Sequence, residues 1–206
     1  MGAYYMLNKP AGVLTARKDA NRPTVMDLLA PELREGLHPV GRLDMDAEGL
    51  LLLTDDGSLD ALLLRPERHV EKRYFFRAFG KLTEEDFRRM ERGVVLEGTG
   101  VQSLPARAWL HGYSTIGACR ALLPKKKYSH LMKNPQRPVT EGFLAIVEGR
   151  KHQVKLMVKA VGGHVFTLQR LSVGPLQLDE TLSPGEYREL TAAELALLKE
   201  SARSAP

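Results

Sequence analysis

The chain has 206 residues, of which 43% are hydrophobic and 27% are charged, so it can form one domain or two packed lobes around a real core. A single cysteine, Cys119, excludes an intrachain disulfide and any zinc site built from cysteine pairs. The sequence contains no apolar run long enough to cross a membrane and no signal peptide, which predicts a cytoplasmic protein without membrane association.

The positive charge is concentrated in one part of the sequence. Between His111 and Lys155 there are nine basic and two acidic residues, and the basic ones include the triplet Lys125–Lys127. Since the whole chain has a net charge of +5, the rest of the sequence is net acidic. A local excess of this kind is typical of a surface that faces phosphate, and it favours a polyanionic partner.

The N-terminal region predicts short elements separated by turns. Tyr4–Asn8 has the composition of a strand, and Val13–Lys18 alternates enough to suggest a second one. Thr24–Leu29 is predicted to be a helix that Thr24 caps and that ends before Pro31.

The most informative stretch is Val40–Gly57, with the sequence VGRLDMDAEGLLLLTDDG. Leu50–Leu53 is an apolar run between two segments that contain glycine, which indicates a buried strand. Arg42, Asp44 and several other polar residues precede it. A carboxylate held in a loop against a buried strand is partly desolvated. Spacing alone leaves open whether Asp44 makes a structural contact with Arg42 or has a functional role.

The remaining sequence mixes helical and strand patterns without a regular βαβ repeat, which predicts an α+β fold with a largely antiparallel sheet. Residues 1–200 are expected to form one domain, and residues 201–206 to fray. Tyr113–Arg137 has no clean periodicity. Helices are predicted over Ser58–Leu64, Thr83–Arg92, His152–Val161 and Thr191–Lys199, and strands over Glu71–Phe79, Val94–Leu110, Gly142–Val147, Val165–Leu168 and Val173–Leu178.

The segment GRLDMDAEGLLLLTDDG resembles the core motif of the pseudouridine synthases, in the branch that includes the ribosomal small-subunit synthase A. YYMLNKPAGVLTARKDANRPTVMDLL resembles the opening strand and loop of that branch, and EKRYFFRAFG resembles its tyrosine motif. EGRKHQVKLMVKAVGGHV and LQRLSVGPLQLDETLSPGEYRELTAAE resemble its third motif and closing segment. These blocks keep the order of the family and cover the chain from about Tyr4 to Leu198.

The resemblance implies a bent mixed sheet, largely antiparallel, in two lobes with flanking helices, and an active site in the cleft between the lobes. Many members of the branch carry a small S4-like RNA-binding domain before the opening strand. This chain starts almost at that strand, so the domain is expected to be absent or removed.

The same resemblance implies that the protein isomerises a uridine of ribosomal RNA to pseudouridine. The C1′–N1 bond breaks, the base rotates, and it is rejoined to the sugar through C5. This reaction involves no redox step and no external group, so neither a cofactor nor a metal is expected. The protein is expected to act as a monomer on ribosomal RNA or on a ribosomal assembly particle.

Three residues match the catalytic positions of the family. Asp44 matches the catalytic aspartate; whether it attacks the sugar, attacks the base or removes a sugar proton is open. Tyr74 matches a tyrosine that can stack on an extruded uracil, although it also fits a core strand rich in aromatic residues. Lys155 matches the cation that pairs with the aspartate, although Lys151, Lys155 and Lys159 together also fit a solvated helix face.

Other matches concern RNA binding. Arg42 matches an arginine that fills the gap left by a flipped nucleotide. Lys9 is expected either to reach phosphate or to stabilise its lobe, and Val154 is expected to pack under the base. The remaining expected contacts come from the tyrosine motif and the third motif, namely Lys72, Arg150, Lys151, His152 and Gln153.

The sequence departs from the family pattern at two positions. Ala47 stands where the family usually has Thr or Ser, and Leu156 stands where the branch usually has Arg, so one local hydrogen bond and one RNA contact are in doubt. The tetrapeptide HQVK at His152–Lys155 resembles the small-subunit branch, whereas the large-subunit branch more often has RQVR. This favours 16S over 23S ribosomal RNA as the target.

Two other functions are compatible with parts of the sequence. A non-catalytic factor that binds ribosomal RNA would use the same fold, but it would not need an intact catalytic set. A glycoside hydrolase would pair Asp44 with Asp46 or Asp55, but it would also call for sugar-binding aromatic residues, and the chain has one Trp. A metal site of His111, His130 and Cys119 is disfavoured, because their spacing fits no standard site.

Overall fold

The computed structural model of the chain describes residues 2–123 and 128–204. They form an α+β fold with a mixed sheet whose strand pairs are mostly antiparallel, which confirms the predicted fold class. The chain divides into two compact units. The first unit contains residues 1–73, 147–149 and 169–206, and the second contains residues 74–146 and 150–168.

The strands and helices have the following bounds. The strands are β1 (Tyr4–Lys9), β2 (His38–Val40), β3 (Glu48–Thr54), β4 (Lys72–Phe79), β5 (Val95–Leu96), β6 (Val101–Gln102), β7 (Arg107–Thr115), β8 (Pro138–Ile146), β9 (His164–Val173), β10 (Leu176–Gln177) and β11 (Tyr187–Glu189). The α-helices are α1 (Pro31–Arg34), α2 (Gly57–Leu64), α3 (Glu84–Arg92), α4 (Gln153–Ala160) and α5 (Ala192–Ser204).

The first unit is organised around β3. Strand β3 pairs antiparallel with β1 and β2, and β1 also pairs antiparallel with β11. The beginning of β3 pairs in parallel with β9, where Gly49 lies opposite Arg170. The core of this unit contains Leu50 and Leu52 of β3 together with apolar residues of α2 and α5. The predicted buried strand at Leu50–Leu53 is therefore confirmed.

The second unit contains strands in the order β9, β4, β8, β7, with β7 and β8 forming an antiparallel pair. Its helix α3 begins with a capping box in which Thr83 and Asp86 exchange hydrogen bonds with each other's backbone N–H groups, as the sequence predicts. Helix α4 follows the predicted apolar stripe and buries Val154, Met157 and Val158. The triplet Lys125–Lys127 lies outside the described residues.

Several local predictions need correction. Val13–Lys18 is not a strand, because its only pairing is a single bridge between Leu14 and Thr24. Thr24 precedes a 3-10 helix instead of an α-helix, and Pro31 begins α1, where its missing N–H costs nothing. Asp56 caps α2 in place of Ser58.

The C-terminal elements are longer than the sequence suggests. Strand β9 is continuous over His164–Val173 and includes residues between the two strands that were predicted there. Helix α5 continues past Lys199 to Ser204, because Ala202 is fully buried in the core of the first unit. The local sequence does not predict this last helical turn, and packing of the turn against the core stabilises it.

The close approach of β3 and β9 gives a first testable prediction. Gly49 has a φ of +98°, and a Cβ atom added there would lie against the Arg170 carbonyl oxygen and 2.8 Å from its nitrogen. We expect Gly49→Ala to lower the free energy of unfolding by at least about 2 kcal/mol, measured by urea denaturation. Gly36→Ala is the control, since nothing lies within 4 Å of its added Cβ. Equal stability of both variants would contradict the close approach.

Candidate active site

Asp44 lies in the loop between β2 and β3, and backbone contacts hold this loop on both sides. The Leu43 N–H donates to Thr15 Oγ1 at 3.2 Å, and the Thr15 hydroxyl donates back to the Leu43 carbonyl at 2.9 Å. The Gly12 N–H donates to the Met45 carbonyl at 2.7 Å. Asp44 is half-buried, while Arg42 and Met45 are exposed. The loop therefore has a defined backbone and a side chain of Asp44 that solvent can partly reach.

Lys9 forms hydrogen bonds with the backbone of the same loop. Its side chain is fully buried, and Nζ donates to the carbonyl oxygens of Pro10 at 2.9 Å, Met45 at 3.3 Å and Ala47 at 2.7 Å. An ammonium group has three N–H donors, so these carbonyls use all of them. Of the two roles predicted for Lys9, this geometry supports stabilisation of the lobe over contact with phosphate.

The groups around Lys9 have opposing effects on its pKa. Burial lowers the pKa of Lys9 to about 8, and the carboxylates of Asp46, Glu48 and Asp44 oppose this shift, whereas Arg170 adds to it. Lys9 is therefore a cation at neutral pH that loses its proton under mildly alkaline conditions. The buried positive charge of Lys9 therefore lies close to the three carboxylates that precede or begin β3.

Arg170 is a residue that the sequence analysis did not single out. It is 5% exposed, and its Nε donates to the Leu50 carbonyl at 2.8 Å. The sequence contains a signal for it, because Arg170 is the one charged residue of the strand segment LQRLSV. Buried arginines are rare unless they have partners, so this position was a candidate for a structural or electrostatic role.

Lys72, for which a contact with RNA is predicted, also has a backbone partner in its own unit. It is half-buried, and its Nζ donates to the Val70 carbonyl at 2.8 Å. Burial lowers the pKa of Lys72 to about 8, and the guanidinium of Arg170 contributes in the same direction. Lys9 and Lys72 thus share an electrostatic neighbour, and the first unit holds three inner cations: Lys9, Lys72 and Arg170.

The second unit carries the other candidate residues. Tyr74 is 8% exposed and lies at the start of the part of β4 that belongs to this unit. Val154 is buried and Lys155 is half-buried, both in the first turn of α4. Their predicted roles beside Asp44 stay predictions.

At the start of α4, one predicted RNA-binding residue is buried and three are exposed. His152 precedes the helix with a left-handed φ of +56°. Gln153 is 3% exposed, and its Oε1 accepts a hydrogen bond from the Arg150 N–H at 2.9 Å. Gln153 therefore stabilises the helix start, and its predicted contact with RNA stays a prediction. Arg150, Lys151 and His152 are exposed.

Two structural features bear on alternative functions. Within residues 2–123 and 128–204, no group of three His, Cys, Asp or Glu side chains is placed to hold a metal ion. Cys119, one of the metal candidates, is buried in an apolar cluster with Phe79 and Val139. In the same part of the chain, every helix is too short or too polar to span a bilayer.

Residues 3–160 match the sequence profile of the family described as RNA pseudouridylate synthase. The chain belongs to this family. It is 44% identical over 198 residues to the uncharacterized RNA pseudouridine synthase YtzG of Bacillus subtilis, covering 96% of this chain and 73% of that protein. It is also 35% identical over 193 residues to ribosomal small subunit pseudouridine synthase A of Escherichia coli, covering 94% and 72%.

A solved structure supports the same assignment. The crystal structure of a pseudouridylate synthase superposes with a TM-score of 0.78 at 33% sequence identity, covering 96% of this chain and 74% of the other. The chain is therefore an RNA pseudouridine synthase, an isomerase. This membership excludes the glycoside hydrolase alternative.

The carbonyl contacts of Lys9 give a second prediction. We expect Lys9→Met to lower the free energy of unfolding by about 2 kcal/mol, because three buried carbonyls lose a charged donor. We expect turnover to fall at least about tenfold, since 1.4 kcal/mol of lost positioning is enough for that factor. The exposed Lys18→Met is the matched control for removal of a charge.

The pH dependence of stability has a definite sign. The pKa of Lys9 is lowered from 10.5 to about 8 by folding, so the unfolded chain binds more protons between these values. The contribution of Lys9 therefore makes wild type gain stability relative to Lys9→Met as pH rises from 8 to 10.5. Urea denaturation across this range measures the difference. A difference that is constant with pH would show that Lys9 is not desolvated.

Proposed function

We propose that the protein converts a uridine of small-subunit ribosomal RNA to pseudouridine, with Asp44 as the catalytic carboxylate. The observation that carries the proposal is the Asp44 loop, which Lys9 and Thr15 hold by its backbone while the carboxylate stays partly accessible. The name of the Escherichia coli relative supports the small ribosomal subunit as the target.

The anchored loop suits each of the three proposed roles of the aspartate. Attack on the sugar, attack on the base and removal of a sugar proton all need an ionised carboxylate in a fixed position. Lys9 carries a positive charge at neutral pH and interacts electrostatically with Asp44, Asp46 and Glu48 of this region. The isomerisation breaks the C1′–N1 bond and forms a C1′–C5 bond. C5 then gives up its hydrogen to solvent and N1 gains a proton, so the site has to allow a proton transfer as well as hold the detached base.

The second unit supplies the groups that would act on the base in this proposal. Tyr74 stacks on the extruded uracil, Val154 packs beneath it, and Lys155 pairs with Asp44. The partial burial of Lys155 fits this role, because a cation that is partly shielded from water interacts more strongly with a carboxylate than an exposed one does.

RNA binding is assigned to exposed basic residues outside the catalytic group. Arg42 fills the place of the flipped base, and Arg150, Lys151 and His152 contact the backbone around it. Such contacts make affinity fall with salt concentration. The protein is proposed to work as a monomer in the cytoplasm, on ribosomal RNA or an assembly particle.

The test of the catalytic assignment uses Asp44→Asn. An amide has nearly the same shape as the carboxylate but can act neither as a nucleophile nor as a base, so we expect RNA binding within about threefold of wild type and product formation reduced at least about 10⁴-fold. Release of tritium from RNA that contains 5-³H-uridine measures turnover. Asp46→Asn, two residues away and exposed, is the matched control and should keep activity within about tenfold.

The same variants identify the substrate in cells that lack the gene. Mapping of pseudouridine in total ribosomal RNA should show one small-subunit site that wild type and Asp46→Asn restore and Asp44→Asn does not. A restored site in large-subunit RNA would contradict the small-subunit assignment. Restoration by Asp44→Asn would remove Asp44 from catalysis.

A further prediction separates Lys155 from its neighbours on α4 and before it. Lys155→Met keeps the length of the side chain and removes its charge, so we expect a large loss of single-turnover rate at saturating RNA. Lys151→Met should mainly weaken binding, by an amount that shrinks at high salt. Lys159→Met should have a small effect, because Lys159 pairs with Glu97 at 2.7 Å on an exposed surface.

Rate against pH decides the assignment of Lys155. Loss of the cation should move the acidic limb of the profile to higher pH, since a carboxylate without its partner is protonated more easily. Lys155→Arg should recover part of the rate. If Lys155→Met shows an unshifted profile and only weaker binding, Lys155 is a phosphate contact and the ion pair with Asp44 is wrong.

A further inference from the structure

One face of the sheet in the second unit is closed by helix α3. Phe76 of β4 stacks on Phe87 of α3, with ring centroids 6.2 Å apart and an interplanar angle of 18°. On β8, a Cβ atom added to Gly142 would lie 2.7 Å from the Phe87 ring, so helix and sheet are in tight contact. On β7, Ala108 is buried and its N–H donates to Glu91 of α3 at 3.4 Å.

Neighbouring residues on these strands point to the opposite face, because side chains alternate along a strand. Phe75, Phe143 and Trp109 each adjoin one of the residues that meet α3. Their rings form a row, with centroids 5.1 Å apart for Phe75 and Phe143 and 5.2 Å for Phe143 and Trp109. His111 adds an edge-on contact to Phe143 at 5.4 Å. We call these four residues the aromatic face.

The aromatic face is accessible at the edge of the sheet. Trp109 is 37% exposed and His111 is also exposed, while Phe75 and Phe143 are half-buried. Strand β7 is the last strand in its sheet order, so the indole and imidazole rings lie at an edge. By alternation, Tyr74 belongs to the same face as Phe76. The aromatic face is therefore distinct from the side of the sheet that carries Tyr74.

Two arginines of the described residues lie beside the aromatic face. The Arg77 guanidinium lies 4.8 Å from the Phe75 ring centroid, and its Nε also pairs with Glu141 at 2.7 Å. Arg107 is exposed two residues before Trp109 on the same strand face. From Arg107 to Arg137 the sequence has seven basic residues and no acidic residue.

Apolar residues that follow β7 pack beside this surface. Phe79 follows Arg77 on the same face of β4, and Tyr128 meets its ring at a centroid distance of 5.2 Å. Ile116 and Leu123 join the same apolar cluster. Ile116, Leu123 and Tyr128 thus lie next to the aromatic face, while Lys125–Lys127 of the same segment lie outside the described residues.

We propose that the aromatic face binds unpaired nucleotides of the RNA substrate, with bases stacked on Trp109 and His111 and phosphates near Arg107. This inference rests on the proposed RNA substrate but concerns a surface separate from the uridine site. Exposed aromatic rings on a sheet with a basic border suit single-stranded RNA, since stacking accepts any base and the charges follow the backbone. A second copy of the chain fits less well, because it would bring the same positive charge against itself.

The chain offers a direct probe, because Trp109 is its only tryptophan. We expect a single-stranded oligoadenylate of ten nucleotides to quench the intrinsic fluorescence of the full chain to saturation. An abasic ribose-phosphate decamer of equal charge should bind without this quenching. Both titrations are made at low salt, and since neither probe contains uridine, the result does not depend on turnover.

Variants of Trp109 test how much its ring contributes to the affinity for RNA. By fluorescence anisotropy of a labelled decamer, Trp109→Ala should weaken binding about tenfold, and Trp109→Phe, which keeps a stacking ring, less than about threefold. Leu197→Ala removes an exposed apolar residue of α5 and should leave binding unchanged.

Three results would overturn the inference. The oligoadenylate could bind without changing the tryptophan emission, or the abasic decamer could quench it equally. Sedimentation could also show that Trp109→Ala dissociates a dimer while RNA affinity stays the same, which would make the aromatic face an interface between copies. None of these results affects the proposed function, whose test is loss of product in Asp44→Asn.

Discussion

The buried ammonium of Lys9 is the contact on which the candidate site of the first unit depends. Strands β1 and β3 are antiparallel neighbours, so the end of β1 and the loop that leads into β3 meet at one edge of the sheet. Carbonyl oxygens of Pro10, Met45 and Ala47 turn toward a single point there, and one donor group satisfies all three. Without it, the loop that carries Asp44 would bury unpaired acceptors, which costs more than leaving them in water.

The close packing of β3 against β9 adds a second positive charge near Lys9, that of Arg170. Gly49 brings β3 so close to β9 that only hydrogen fits between them, and Arg170 of β9 donates to the Leu50 carbonyl. The guanidinium lowers the pKa of both Lys9 and Lys72, which means that the cations repel one another. They stay together because each has a backbone carbonyl as acceptor and because carboxylates of the loop offset the repulsion at Lys9. The fold thus concentrates positive charge under the carboxylates.

The sequence by itself determined the elements whose signals are local. The apolar run of β3, the capping box of α3 and the apolar stripe of α4 can each be recognised from neighbouring residues, and all three elements are present in the structure. The ordered motifs also identified the family, and the roles that they imply for Asp44, Tyr74 and Lys155 stay proposals. Where a local pattern had no partner, it failed: Val13–Lys18 alternates like a strand but makes a single bridge.

Only the tertiary structure decided which polar side chains are structural and which face of a strand is open. Lys9 meets a carbonyl 38 residues away and Arg170 meets one 120 residues away, and no local pattern encodes such pairs. The motifs predict contacts of Gln153 and Lys72 with RNA, and only the structure shows that each side chain also bonds a backbone group of its own unit. Trp109 alternates with Ala108 in the sequence, but only the position of α3 shows which of them is covered. Burial depends on what the rest of the chain brings to each face, and that is a property of the whole fold.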